Sequence, residues 1–182
     1  MWKTERLEGT PLSMDDAEAW LDFERRNKEH FSLGEGSLEY TLDAFTRRCG
    51  QKIAQMDAGR ALVVVFRRQG IRDFSVMVSL SEIIRGPFES CFISWDCDLA
   101  LEGKGYASEA VGAVITTAFS TLGLHRIEAN IVPENKRSIA LAKRCFFRYE
   151  GSSPSYLCIR GVWREHQHWV LLNDRQYPES EA

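Results

Sequence analysis

The sequence lacks a long hydrophobic segment, since no apolar run among its 182 residues approaches the ~20 needed to span a bilayer. It also opens on charged residues, without the apolar stretch and small-residue cleavage site of a secretory signal. Its apolar share of 44%, with 11% aromatic residues, is nevertheless typical of a globular protein. We therefore expect a soluble, cytoplasmic protein that forms a single domain over residues 1–182, with a polar tail from about residue 174.

Cysteine pairs of the C-x-x-C type are also absent, and the five cysteines are widely spaced. This pattern predicts reduced, mostly buried thiols rather than a disulfide framework. His166 and His168 alternate on a predicted strand, but neither a cysteine pair nor a third ligand accompanies them. The sequence therefore predicts no metal site.

An excess of positive charge is missing as well, because the formal net charge is -3 and the isoelectric point is about 5.9. Proteins that bind nucleic acid through the phosphate backbone usually carry a basic surface. We therefore predict no direct nucleic-acid binding. A basic peptide remains compatible with this charge as a substrate.

Helical patterns dominate the first third of the chain. Ser13 precedes early carboxylates, which is typical of a helix start, and the helix should run to about Asn27. A second helical stretch is predicted after Ser37, with Leu38, Leu42, Phe45 and Ile53 at roughly helical spacing. These patterns predict a helical N-terminal third.

Strand and helix patterns alternate through the rest of the chain. Expected strands cover residues 61–66, 73–84, 91–97 and 125–132, followed by two strands within 156–172 that turn at Arg160-Gly161. Expected helices cover residues 107–122, where apolar side chains fall on one face and Gly123 ends the helix, and 135–147. This order predicts an α/β or α+β sandwich with helices packed on a mixed sheet.

The segment Glu102-Gly103-Lys104-Gly105-Tyr106-Ala107 links a predicted strand to the clearest helix of the chain. Glycines allow a tight turn, and the free N–H groups and dipole of the following helix attract an anion such as a pyrophosphate. Two glycines alone are also compatible with a simple strand-to-helix turn. The segment is too short for a P-loop and lacks the third glycine of a Rossmann site.

Several segments in the C-terminal half occur in the order found in one enzyme family. They are Arg85-Gly86-Pro87-Phe88, residues 102–110 (EGKGYASEA), residues 125–130 (HRIEAN), residues 133–138 (PENKRS), Tyr156-Leu157 and residues 161–166 (GVWREH). Together they resemble the GNAT superfamily of N-acetyltransferases. The similarity is to its RimJ/RimL-like branch, the ribosomal-protein alanine and serine N-acetyltransferases, and is closest to RimJ.

This resemblance implies a mixed, mostly antiparallel sheet with splayed central strands and helices on both faces. It also implies acetyl-CoA as co-substrate, with its pantetheine arm along the strand that ends at residue 97. The residues implied in cofactor binding are Cys97, Gly103, Lys104, Gly105, Tyr106, Ala107, Ser108 and Asn135. Ser138 resembles the hydroxyl that protonates the departing thiolate. A helix cap at Asn135 and a solvent-facing Ser138 remain alternatives.

Some positions depart from the family pattern. Ser155 stands where relatives carry an acid that is a candidate general base, while Glu102 and Phe146 replace other preferred residues. Asp96 could act in place of the missing acid, because strand alternation sets its side chain opposite those of its neighbours. Asp98 is a weaker candidate for the same role.

The acceptor pocket is expected to draw on the loop after the first helix, on the turn after Arg85, and on the second-last strand. The residues assigned to it are His30, Phe31, Arg85, Phe88 and Tyr156. The leading hypothesis is acetyl transfer to the α-amino group of a protein N-terminus, with a ribosomal protein as the candidate acceptor. Acetylation of a small-molecule amine, or a non-catalytic acyl-CoA-binding module, remains an alternative. A homodimer is also left open.

Overall fold

The structure is a computed structural model that describes residues 1–31 and 39–173. The predicted start of the second helix at Ser37 and Leu38, and the polar tail from residue 174, lie outside the described residues.

The described chain contains eight strands and four α-helices. The strands are β1 (Trp2–Lys3), β2 (Leu7–Pro11), β3 (Leu62–Arg68), β4 (Val76–Ile84), β5 (Ser90–Cys97), β6 (Arg126–Ile131), β7 (Arg148–Ile159) and β8 (Val162–Leu172). The helices are α1 (Ala17–Arg26), α2 (Leu42–Asp57), α3 (Tyr106–Ser120) and α4 (Lys136–Arg144). Two short 3₁₀ turns, Met14–Asp16 and Leu99–Leu101, precede α1 and α3.

The N-terminal third is only partly helical, which corrects the sequence-based prediction. β1 and β2 precede α1, and β2 pairs antiparallel with β3 from Leu7 opposite Arg68 to Pro11 opposite Val64. Both strands are short, and β2 contains Gly9 and Pro11, which are unfavourable in strands. The helix predicted after Ser37 begins at Leu42, where the Thr41 side chain accepts a hydrogen bond from the Ala44 N–H.

The eight strands form one sheet in the order β1-β2-β3-β4-β5-β6-β8-β7, in which only β5 and β6 are parallel neighbours. Strand alternation sends Val63 and Val65 into a core shared with α1 and α2. It sends Val64 and Phe66 into a second core shared with α3 and α4. The predicted mixed sheet with helices on both faces is therefore confirmed.

The two parallel strands separate after three paired residues. β5 pairs with β6 only from Ser90–Phe92 opposite Arg126–Glu128. Beyond that point residues 93–97 of β5 stay paired with β4, while residues 129–131 of β6 stay paired with β8. Because each strand keeps its outer partner, the sheet opens into a gap between them, as expected for splayed central strands.

Candidate active site

A cleft of about 830 Å³ runs through the gap between β5 and β6. Residues of α3, α4 and the turn before α3 border it on one face of the sheet, and residues of α1 and α2 border it on the other. An unpaired strand edge such as residues 93–97 of β5 offers N–H and C=O groups to an extended partner. The cleft can therefore hold an amide-containing chain along β5, with chemistry at the gap.

The glycine turn adopts the conformation that an anion cradle requires. Gly103 and Gly105 have φ angles of +72° and +84°, a left-handed region that other residues enter at a cost. Gly105 caps α3, and the first return bond of the helix runs from the Glu109 N–H to the Gly105 carbonyl, with an N···O distance of 3.1 Å. The N–H groups of the first helical turn are left to bind an anion.

The N-terminal segment holds this turn in place. The Arg6 side chain donates to the Lys104 carbonyl (Nη1···O 2.9 Å) and to the Glu109 carboxylate (Nε···Oε2 2.8 Å). Glu109 also accepts hydrogen bonds from the Thr4 hydroxyl and the Arg6 N–H. Burial raises the pKa of Glu109, but these hydrogen bonds outweigh it and the pKa is lowered. A charged Glu109 thus ties the turn between β1 and β2 to the start of α3.

Two arginines of α4, which the sequence reasoning missed, flank the glycine turn. Arg137 Nη1 lies 3.1 Å from Glu102 Oε2, and Arg144 Nη1 donates to Ser108 Oγ at 3.2 Å. Both line the cleft, so a diphosphate on the α3 amides would have two guanidinium groups within the same site. The two arginines are seven residues apart, which is about two helical turns, so the sequence could have indicated that they share one face of α4. The residues present therefore fit the nucleotide end of acetyl-CoA.

The predicted cofactor residues differ in what they present to the cleft. Gly103, Gly105, Ala107 and Ser108 line it, as do Cys97 and Asn135. The Lys104 side chain instead donates to the Ala100 carbonyl (Nζ···O 2.8 Å). The Arg6 guanidinium stacks over the Tyr106 ring, with a distance of 4.1 Å between Arg6 Cζ and the ring centroid. Neither of these two side chains belongs to the cleft lining, so Lys104 and Tyr106 would contribute to cofactor binding only through their backbone N–H groups.

Asn135 and Ser138 sit at the start of α4. The Asn135 side chain accepts a hydrogen bond from the Ser138 N–H at 3.1 Å, which makes Asn135 the helix cap that the sequence allowed. Ser138 is half-buried and lines the cleft on the α4 side. The cap therefore fixes the turn that carries the Ser138 hydroxyl.

Asp96 lies on β5 where that strand borders the gap. It pairs in register with Met77 of β4, which belongs to the core under α1 and α2, and it lines the cleft. Its neighbours Trp95 and Cys97 pack against the opposite core. Burial raises the pKa of Cys97 to about 12, so this thiol is neutral at physiological pH.

Asp98, the weaker candidate, has a structural role. Its carboxylate accepts from Arg26 (Nε···Oδ2 2.6 Å) and from the Ala100 N–H (N···Oδ1 3.0 Å). It is not among the residues that line the cleft.

His30, Phe31 and Tyr156 from the predicted acceptor pocket line the cleft together. Burial and the nearby Arg137 charge lower the pKa of His30, although Glu102 Oε2 lies 4.0 Å from its Nδ1. His30 is therefore mainly neutral near pH 7. The Tyr156 ring meets His166 at a centroid distance of 5.7 Å, and this buried histidine also lines the cleft.

The structure places Arg85 and Phe88 elsewhere. They belong to the hairpin turn between β4 and β5, at the end of β5 that still pairs with β6. The gap opens toward the other end of this eight-residue strand, which at about 3.3 Å per residue is more than 20 Å long. Neither Arg85 nor Phe88 is among the residues that line the cleft, so the proposed acceptor site does not include them.

Over residues 1–31 and 39–173, no group of three or more His, Cys, Asp or Glu side chains is arranged to hold a metal ion. Within the same ranges no helix is both long and apolar enough to cross a membrane.

Comparison with known proteins gives consistent matches. The family described as "Acetyltransferase (GNAT) domain" matches residues 6–148. The probable N-acetyltransferase YjcK of Bacillus subtilis is 33% identical over 177 residues, which cover 95% of this chain and 97% of that protein.

Two solved structures share the whole architecture. The ribosomal-protein-S5-alanine acetyltransferase from Vibrio fischeri superposes with a TM-score of 0.88 at 26% identity, covering 97% of this chain and 98% of that one. RimJ from Mycobacterium smegmatis, solved in complex with CoA-disulfide, superposes with a TM-score of 0.86 at 26% identity, covering 96% of this chain and 85% of that one.

Proposed function

The chain belongs to the GNAT family of acetyltransferases and is an acetyl-CoA-dependent N-acetyltransferase, and from this premise we propose that its acceptor is the α-amino group of a protein N-terminus. The expected acceptor protein is a ribosomal protein. Support for this choice comes from the Vibrio fischeri relative, which is named for the alanine of ribosomal protein S5 and matches over 97% of this chain.

The observation that carries the proposal is the single cleft that joins the glycine turn, on one face of the sheet, to His30, Tyr156 and Asp96 at the gap. Acetyl-CoA supplies an acetyl thioester, which a neutral amine can attack directly. An α-amino group has a pKa of roughly 8, against about 10.4 for a lysine side chain, so a weak base suffices to deprotonate it. The absence of the family's acid at Ser155 is therefore compatible with this acceptor.

Asp96 and Ser138 are assigned complementary proton-transfer roles in this proposal. Asp96 would take a proton from the acceptor amine, because it lies at the gap on the face covered by α1 and α2. Ser138 would give a proton to the leaving sulfur, because it lines the cleft from the start of α4 on the cofactor side. The β5 edge would position the amide groups of the cofactor arm between them.

An acceptor screen tests the proposed function. Thiol release from acetyl-CoA should be fast with short peptides that begin with Ala or Ser, and slow with a panel of amino acids, polyamines and aminoglycosides. Preference for any small amine over the peptides would contradict the proposal in favour of a small-molecule acetyltransferase. Cofactor binding without thiol release for every acceptor would contradict it in favour of a non-catalytic module.

Two variants test the assigned roles. Asp96→Asn and Ser138→Ala should each lower kcat for the best peptide by about 100-fold, in line with the usual contribution of a general acid or base. Asp57→Asn and Ser120→Ala, at exposed positions on α2 and α3, are matched controls that should change nothing. Unchanged turnover in either test variant would remove that residue from the mechanism.

A further inference from the structure

The wall of the cleft formed by α1 and α2 carries three buried polar atoms that have no hydrogen-bond partner in the described part of the chain. They are Trp20 Nε1, Glu24 Oε2 and Arg48 Nη1. Trp20 is 0% exposed and Glu24 is 5% exposed, and all three residues line the cleft. Buried polar groups in folded proteins nearly always have partners, so a cluster of unpaired ones at a cleft points to a ligand.

Contacts within the chain hold the side chains of this wall together. Trp20 and Glu24 are four residues apart and therefore share one face of α1. The Arg48 guanidinium stacks over the Trp20 ring at 4.5 Å and over the Phe45 ring at 4.7 Å. Its Nη2 lies 3.7 Å from Glu24 Oε1. One oxygen of the carboxylate and one nitrogen of the guanidinium are thus left for a partner.

The wall adjoins the gap at which acetyl transfer would occur. Trp20 packs in the same core as Met77, and Met77 is the register partner of Asp96. Ser79 and Ser94 continue the cleft lining along β4 and β5 on this face. An acceptor whose amine reaches Asp96 would therefore extend its next groups toward the wall.

We propose that Trp20, Glu24 and Arg48 recognise the backbone of the second residue of the acceptor peptide, a specificity role that rests on the proposed function. Glu24 Oε2 accepts a hydrogen bond from the N–H of that residue, while Arg48 Nη1 and Trp20 Nε1 donate to its carbonyl oxygen. In an extended chain the N–H and C=O of one residue point to the same side, so an acceptor beside these two donors matches them.

The same wall selects against polyamines. A polyamine offers only N–H donors, so the guanidinium and the indole would stay unpaired when it binds, and sites of this kind reject ligands that lack a required hydrogen-bond group. Lys52, a cation that also lines the cleft, adds to this rejection.

The experiment compares two acceptors in wall variants of the full chain. One acceptor is an Ala-starting tripeptide amide, and the other is propylamine, which has an amine but no peptide unit. Glu24→Gln, Arg48→Met and Trp20→Phe keep the bulk of each side chain but remove its charge or its donors. Each should lower kcat/KM for the peptide by about 10- to 100-fold, as expected for an unpaired buried group, and leave propylamine within about twofold. The KM for acetyl-CoA should not change.

Glu18→Gln and Arg47→Met, at exposed positions on the same two helices, are the matched controls and should leave both acceptors within about twofold. If wild type acetylates the peptide but the wall variants lose nothing, or lose equally with both acceptors, the wall has no recognition role while the proposed function stands. If wild type acetylates spermidine in preference to the peptide, both inferences are overturned.

Discussion

The glycines at the start of α3 and within it give a specific prediction. Substituting alanine for each should change the free energy of unfolding in opposite directions. Gly105 has a φ of +84°, and a Cβ added there would meet only Arg6 Nη2, at 3.4 Å. Space is therefore sufficient, and the cost of Gly105→Ala comes from the left-handed backbone, at about 1–2 kcal/mol of unfolding free energy. Gly112 lies inside α3 with nothing within 4 Å of an added Cβ. Gly112→Ala should stabilise the fold by about 0.5–1 kcal/mol.

The same pair separates cofactor binding from stability. If Gly105→Ala relaxes the turn, the first amides of α3 move from the diphosphate, and a loss of about 1.4 kcal/mol corresponds to tenfold weaker acetyl-CoA binding. Gly112→Ala should keep wild-type affinity, because Gly112 does not line the cleft.

Urea unfolding measures the free energy of unfolding, and isothermal titration calorimetry with acetyl-CoA measures the affinity. The reasoning would be refuted by wild-type stability in Gly105→Ala, or by equal effects of the two substitutions. If Gly105→Ala is clearly destabilised but binds acetyl-CoA as tightly as wild type, the argument from the left-handed backbone stands. The assignment of the glycine turn to diphosphate binding is then contradicted.

Two further predictions concern titratable groups. A lowered carboxyl pKa stabilises the fold above the unfolded value, about 4.5 for Glu109, and this stabilisation is lost as the pH falls through the folded value. Glu109→Gln should therefore unfold at lower urea than wild type at pH 7, with weaker acetyl-CoA binding, and the difference should shrink below pH 4.5; a pH-independent difference would contradict the tether. For the thiols, the pKa of about 12 leaves only about 10⁻⁴ of Cys97 as thiolate at pH 8, so iodoacetamide should modify the exposed Cys158 first. Mass spectrometry after brief labelling checks this order. Faster modification of Cys97 than of Cys158 would show that the Cys97 thiol is accessible to solvent and contradict the prediction.

Most elements with a strong local pattern were predictable. The β-branched run at residues 62–66 forms β3, and the apolar face at residues 107–119 forms most of α3. β1 and β2 were missed because two- and five-residue strands carry little pattern, and their stability comes from pairing with distant residues. The sequence also did not indicate that Arg85 and Phe88 would be absent from the cleft lining, since composition does not reveal at which end of a strand the gap opens.

The sequence by itself determined the glycine turn, the helix that follows it and the order of the segments, because these depend on backbone preferences within a few residues. Only the tertiary structure decided where β5 leaves β6, which residues of α4 reach the turn, and that Trp20, Glu24 and Arg48 meet at one wall. Those arrangements join residues far apart in the chain. They are fixed by packing against both faces of the sheet, which no local pattern encodes.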